Sequence, residues 1–293
     1  MIDLHTHSSS SDGLLPPSGL VAYAREKGLS VLALTDHDTV AGLAEAETEA
    51  EKAGIVFIKG IELNIERTRG EFHLLGYGIP SAPVSSHGID TSPLEAIISN
   101  LQNGRLERNK AILQKMRDDG FPVSYEELLE QNAGANTDSI GRPHIAAYLV
   151  GKKLCRSRQQ AFDKFLGSGR PYYVDRTAAP LSEAVSAIKT AGGIPVIAHP
   201  LSLYISWSKM DGAMREVAEA GVMGLEAWHP GVRVGEAERL EALARTLGLF
   251  VTAGSDFHGE KIRADRRIGH TAGLRKIEDR FWTDELKPAL EAR

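Results

Sequence analysis

The chain alternates short apolar runs with longer stretches in which apolar residues recur at helical spacing. "MIDLH" precedes "SGLVAYAREKG", and "SVLALTDHD" precedes "TVAGLAEAETEAEKAG", which is rich in Ala and Glu and closes on Gly54. "IVFIKGIELN" and "EFHLLGYG" follow, joined by "IERTRG", which is short enough for a hairpin connection. The alternation resumes late. Helix "LSEAVSAIKTAGG" leads to strand "IPVIAHP", helix "KMDGAMREVAEAG" to strand "VMGLEAWHP", and helix "EAERLEALARTLG" to strand "LFVTAGSDFHG". Seven strand candidates, mostly alternating with helices, predict an α/β fold with largely parallel strands. The rhythm over this length favours a barrel over an open sheet.

The middle of the chain breaks the rhythm. "APVSSHGIDTSP" is polar and turn-rich, and the segment from Pro93 to Gly167 is helical in pattern with no strand run. The expected organisation is a barrel built from residues 1–84 and 178–293, with a helical insertion over 85–177 that caps one end.

Bulk properties narrow the function. The 293 residues are 42% hydrophobic and 25% charged, with a net charge of −5 and a pI near 6.1. Such a surface has no global attraction for nucleic acid or an anionic membrane, so long duplex DNA is not an expected partner. The single cysteine, Cys155, excludes an intramolecular disulfide and a Cys-rich zinc site, and reads as a small buried hydrophobe. There is no apolar run of membrane-spanning length and no basic n-region at the start, so the expected location is cytoplasmic.

The chemistry lies at the ends of the apolar runs. His5 and His7 close the first, with Asp12 in the loop beyond, and His37 closes the second. Glu62 lies near the end of the third and His73 within the fourth, while His199 ends "IPVIA" and Asp256 and His258 end the last. Residues i and i+2 of a strand share a face, so each HxH or DxH pair can aim two ligands at one point. Asp38 beside Thr39 reads instead as a helix cap. Six of the ten histidines thus fall at one topological level together with three carboxylates, which predicts a metal site. Imidazole and carboxylate donors without thiolate suit Mn, Fe or Zn. Nine candidate ligands exceed the needs of one ion, so two or three divalent ions are expected, most naturally Mn2+. Such a cluster outweighs its own carboxylates in charge and suits a substrate that gathers negative charge, as a phosphate ester does.

The stretches "HTH", "SDG", "LTDHDT", "GIELN", "AHP" and "SDFHG" together resemble the polymerase and histidinol phosphatase (PHP) family of metal-dependent phosphoesterases. The resemblance implies a distorted (β/α)7 barrel with a trinuclear site. In that scheme His5, His7, Glu62 and Asp256 hold one ion. Glu62 bridges to a second, held also by His73 and His199, and Asp12, His37 and His258 hold the third. "TDSIGRPHIAAYLV", "FDKFLGSGRPYYV" and "LEAWHPG" resemble the subgroup that removes the 3′-phosphate from nucleoside 3′,5′-bisphosphates. Related members act on short RNA from the 5′ end, which is the alternative activity here.

Substrate contacts are read from the same segments. Arg142 stands at a helix start with Pro143 in the first turn, a setting for a phosphate clamp to which His144 adds a donor. His229 ends the sixth strand and is expected to touch substrate or support the ligands. Lys164 and Arg170 are further candidate charges, and Trp228, Tyr172 and Tyr173 candidate base-stacking rings. His87 and His270 carry no functional expectation. A carbon–nitrogen hydrolase on a similar barrel would place a carboxylated lysine between its metals, but Lys59, three residues before Glu62, should face away.

Overall fold

The computed structural model describes residues 1–67, 70–86, 88–132 and 140–292. The chain divides into two compact units, Met1–Ile98 with Ala178–Arg293, and Ser99–Thr177.

The first unit begins with strands β1 (Ile2–Asp3), β2 (Val31–Leu34), β3 (Val56–Asn64) and β4 (His73–Tyr77). A two-residue ribbon, β5 (Ser85–Ser86) against β6 (Ile89–Asp90), precedes the long gap to β7 (Ile194–Ile197), β8 (Gly224–Trp228) and β9 (Phe250–Ala253). One seven-stranded sheet runs in the order β1-β2-β3-β4-β7-β8-β9. Its two edges meet. Thr6 bridges Phe257 in parallel, His7 N–H donates to the Phe257 carbonyl at 2.9 Å, and Asp256 N–H donates to the His5 carbonyl at 2.9 Å. The sheet therefore closes into a barrel of the expected class.

Every residue of β2, β4, β7 and β8 is buried, as befits strands covered by barrel interior on one face and helices on the other. The covering helices are α1 (Pro17–Glu26), α2 (Leu43–Ala53), α7 (Leu181–Thr190), α8 (Trp207–Glu219) and α9 (Val234–Thr246). The helix α2 ends where its Ala- and Glu-rich run meets Gly54, which takes a left-handed φ of 65° and caps the last carbonyls. Inside the barrel, Tyr77 O–H donates to the Leu4 carbonyl at 2.7 Å, tying β4 to the strand across from it.

One strand breaks the parallel pattern. β4 is antiparallel to both β3 and β7, because residues 65–72 are too few for a crossover helix. The reversal puts the first residue of β4, His73, opposite Asn64 at the end of β3. His73 thus stands at the rim where the parallel strands finish.

The second unit contains the later part of α3 (Ser92–Asp118), α4 (Tyr125–Gln131), α5 (Arg142–Gly151) and α6 (Arg158–Ala161), followed by a π-turn over Phe162–Leu166. It has its own core of Ile112, Leu113, Met116, Leu128, Ile145, Tyr148 and Leu149, into which Cys155 packs. Ser124 and Ser157 cap α4 and α6 by accepting from the N–H groups of Glu127 and Gln160. The division falls inside the 27-residue α3 rather than at residue 85. The polar ribbon and the first turns of α3 belong with the barrel unit, where Ile89 lies against Gly192.

Elements beyond the last barrel strand carry no sequence expectation. They are an antiparallel ribbon of β10 (His270–Thr271) and β11 (Arg275–Lys276), a π-turn at Phe281–Leu286 and α10 (Lys287–Glu291). Asp38 is not a helix cap. α2 begins five residues later behind Gly42, and the Asp38 carboxylate accepts from the Asn64 N–H at 3.1 Å and from its Nδ2 at 3.0 Å. No helix of the described residues is long and apolar enough to cross a membrane.

Candidate metal centre

All nine sequence-predicted ligands belong to the barrel unit and converge at one rim. Glu62 is the hub. Its Oε2 lies 3.3 Å from His5 Nε2, 3.2 Å from His7 Nε2 and 3.1 Å from His37 Nδ1. Its Oε1 lies 2.8 Å from His73 Nδ1 and 3.0 Å from His199 Nε2. Asp256 Oδ1 approaches His7 at 3.3 Å and His5 at 3.8 Å, and Asp12 Oδ1 approaches His258 Nε2 at 3.2 Å.

Three donor groups with ligand atoms within 4.8 Å of one another emerge: His5, His7, Glu62 and Asp256; His37, Glu62 and His73; and His7, Asp12, His37 and His258. His199 joins the second through its contact with Glu62. The groups share Glu62, His7 and His37, so they form one continuous cluster.

Four buried atoms of this cluster, His7 Nδ1, His37 Nδ1, Asp12 Oδ1 and Glu62 Oε2, have no hydrogen-bond partner. Buried polar atoms rarely go unpaired, and unpaired imidazole and carboxylate atoms within one buried cluster suit divalent cations. The residues present therefore fit a metal centre.

Electrostatics agree with the geometry. Burial opposes charge on Glu62, yet the His37, His5 and His73 rings hold its carboxyl well below the usual carboxylate range. Asp256 and Asp12 are likewise held low against burial, chiefly by His258. Burial opposes charge on His7 too, but the neighbouring Asp256 and Glu62 carboxylates push it up to about 10. For His37 burial wins, and its imidazole falls to about 3.

Several residues outside the predicted set hold the ligands in place. Glu226, inside β8, accepts from His5 Nδ1 at 2.9 Å with Oε1 and from the His199 backbone N–H at 2.8 Å with Oε2. The His5 Nε2 lone pair is thereby aimed into the cluster. His258 Nδ1 lies 2.9 Å from the Asp256 carbonyl, which can only accept, so Nε2 is the ring atom left for the cluster, beside Asp12. Asp36 accepts from the Ser8 N–H, Ser8 Oγ and Ser11 Oγ and shapes the loop after His7. Gly254 makes room for this packing, since a Cβ there would stand 2.2 Å from His5 Cβ and 2.6 Å from Glu226 Oε1. Backbone strain gathers here too. Asp38, His199 and Asp256 all have positive φ, a costly state for residues with side chains.

His229 lies beside the cluster. Gly231 N–H donates to its Nδ1 at 3.0 Å, so the proton sits on Nε2, 3.4 Å from Asp256 Oδ2. Its lone pair is used by the backbone, which makes it a support for Asp256 rather than a ligand in this arrangement.

Arg142 and His144 lie in the helical unit. Arg142 is the first residue of α5, donates to the Leu166 carbonyl at 3.2 Å and lies over the Phe162 and Tyr173 rings. His144 Nδ1 accepts from the Gly141 N–H at 3.1 Å. Lys164 and Arg170 are exposed. Two aromatic candidates are core residues: Trp228 is buried beside Phe281 with Nε1 bonded to Glu241, and Tyr172 is buried with its hydroxyl on Asp119. His270 Nδ1 lies 2.9 Å from the Ile268 carbonyl, a packing role, and His87 is outside the described residues. Lys59 faces away from the cluster and pairs with Glu47 at 2.8 Å.

Comparison with known proteins converges on the same family. A PHP domain matches residues 3–147. The chain is 32% identical over 293 residues to a 3′,5′-nucleoside bisphosphate phosphatase of Chromobacterium violaceum, covering 100% of this chain and 97% of the relative. It is 33% identical over 258 residues to a 5′-3′ exoribonuclease of Haemophilus influenzae, covering 87% and 89%. A solved structure of an amidohydrolase from C. violaceum, with bound sulfate and no metal, superposes with a TM-score of 0.83 at 31% identity, covering 99% of this chain and 96% of that one. With these matches and its rim of imidazoles and carboxylates, the chain belongs to the PHP family of metal-dependent phosphoesterases.

Proposed function

We propose that this protein is a metal-dependent phosphatase that removes the 3′-phosphate from nucleoside 3′,5′-bisphosphates, adenosine 3′,5′-bisphosphate among them, giving the 5′-monophosphate and phosphate. The observation that carries the reading is Glu62, a member of two donor groups, with Oε1 facing His73 and His199 and Oε2 facing His5, His7 and His37. A carboxylate so placed is built to join neighbouring cations. Divalent ions, when bound, supply positive charge to phosphoryl oxygens and bring water into its nucleophilic form near neutral pH.

The protein's own residues prepare that chemistry. His5, His7, Asp12, His37, Glu62, His73, His199, Asp256 and His258 are the proposed ligands of two or three ions. Mn2+ is the proposed ion, with Fe2+ and Zn2+ also suited to these mixed imidazole and carboxylate donors. Glu226 fixes the His5 ring, and His229 keeps Asp256 turned with Oδ1 inward. Arg142 and His144 are proposed to bind a phosphate group at the start of α5, where guanidinium and helix N-terminus reinforce one another. The expected substrates are small nucleotides, which the full-length similarity to a bisphosphate phosphatase supports.

A second reading, 5′→3′ hydrolysis of short RNA, is supported by the exoribonuclease relative. Phosphate release from adenosine 3′,5′-bisphosphate, 3′-AMP, 5′-AMP and histidinol phosphate with Mn2+, beside a chain-length series of oligoribonucleotides, separates the two. The phosphatase reading requires the bisphosphate to be the best substrate. Faster turnover of oligonucleotides than of the bisphosphate would replace it with the exonuclease.

A further inference from the structure

We propose that Arg263 and Arg266, on the loop after β9, form a phosphate-binding site beside Asp256, taking non-bridging oxygens of the phosphate being hydrolysed. The inference rests on the phosphoesterase reading and adds two residues that no motif marks.

The two oxygens of Asp256 face different company. Oδ1 points at His5, His7 and His258, whereas Oδ2 meets Arg263 Nη1 at 3.1 Å, His229 Nε2 at 3.4 Å and Arg266 Nε at 3.6 Å. Three donors compete for one oxygen, and Arg266 loses. Its side chain is 7% exposed, yet Nε has no hydrogen-bond partner. Asp265 holds Nη1 at 2.7 Å, which keeps the guanidinium where it is. A buried donor fixed in place without an acceptor is a site awaiting one.

The charge balance points the same way. Once Asp256 Oδ1 serves a cation, its single charge is shared among that ion and two guanidiniums, and the edge of the cluster turns positive. Arg263, 40% exposed, has room to turn from Oδ2 to an incoming anion. Gly231, which is exposed, lies against both neighbours of Asp256: a Cβ there would stand 2.9 Å from His229 Nδ1 and 3.4 Å from Arg266 Nη2. Planar guanidiniums offer paired N–H groups that match the oxygens of a phosphate.

The test uses the full-length Mn2+-loaded protein and the variants Arg263→Gln and Arg266→Gln. Calorimetry measures Mn2+ binding and inorganic phosphate binding, and phosphate release from adenosine 3′,5′-bisphosphate gives kcat and KM. The expected result is a loss of at least about tenfold in phosphate affinity with a matching rise in KM, and Mn2+ affinity within about twofold of wild type. Phosphate affinity unchanged in both variants overturns the site. So does a parallel loss of Mn2+ affinity, which would mean that the arginines act only by holding Asp256. If Arg266→Gln fails to fold, the more exposed Arg263→Gln decides alone. Arginine-dependent phosphate binding without turnover of any phosphoester would leave the site standing and remove the proposed function instead.

Discussion

Glu226 holds His5 by its far nitrogen: Oε1 lies 2.9 Å from His5 Nδ1, while Oε2 takes the His199 N–H, so one carboxylate orients ligands from two donor groups at once. Glu226→Gln preserves the shape but must turn an amide N–H toward one of these two donors. The expected loss in Mn2+ affinity is about 10–100-fold. Turnover should be largely restored at saturating Mn2+, and a Mn2+ titration of activity checks this.

Glu62→Gln removes the shared carboxylate itself. Activity should fall by at least about a hundredfold at any Mn2+ concentration, with metal analysis showing fewer ions per chain. Lys59→Ala is the matched control. Because Lys59 points to Glu47 and not into the cluster, activity should stay within about twofold of wild type. Loss of activity in that variant would favour a lysine-bridged amidohydrolase site.

Metal uptake should release protons. Against their burial, Glu226 and Glu62 hold His5 well above its ordinary value, and Asp256 and Glu62 push His7 up to about 10, so the metal-free site favours protons on this imidazole pair. Imidazoles bind metal only when neutral. Mn2+ affinity should therefore rise with pH between 6 and 8, and calorimetry in buffers of different ionisation enthalpy should count the protons. The sign for the metal-free fold is opposite. A raised imidazole contributes stability below about 6.5 that is lost as pH climbs through about 10, so its melting temperature should fall over that window.

Arg142→Ala tests the proposed phosphate contact in the helical unit. KM for adenosine 3′,5′-bisphosphate should rise about tenfold or more while a substrate with one phosphate is spared. Equal damage to both substrates would remove the assignment.

Much of the centre was legible because strand geometry has period two. His5 with His7 and Asp256 with His258 announce themselves as pairs at the ends of apolar runs. His73 is different: its place at the rim depends on β4 running backwards, which the short "IERTRG" connection hints at but spacing alone does not require. Glu226 left no trace, since one glutamate in "GLEAWHP" looks like any strand residue until His5 is known to lie across from it. Arg263 and Arg266 sit in a loop beyond the last strand run, where no periodicity or motif singles them out. Asp38 misled because Asp-Thr before a helix is the usual mark of a cap, whereas tertiary contact with Asn64 claimed its carboxylate. The inner boundary of the helical unit falls within α3 because a helix can carry one pattern through two cores.

The seam between β1 and β9 bears on how the protein is made. Asp3 binds the Ser255 N–H and hydroxyl across 252 positions of chain, and His7 and Asp256 meet just beyond it. A chain still being synthesised holds His5, His7 and Glu62 long before Asp256, the last member of their donor group, can join them. The donor group of His5, His7, Glu62 and Asp256 is therefore completed late in synthesis, and a chain cut short before Asp256 lacks one of its four members.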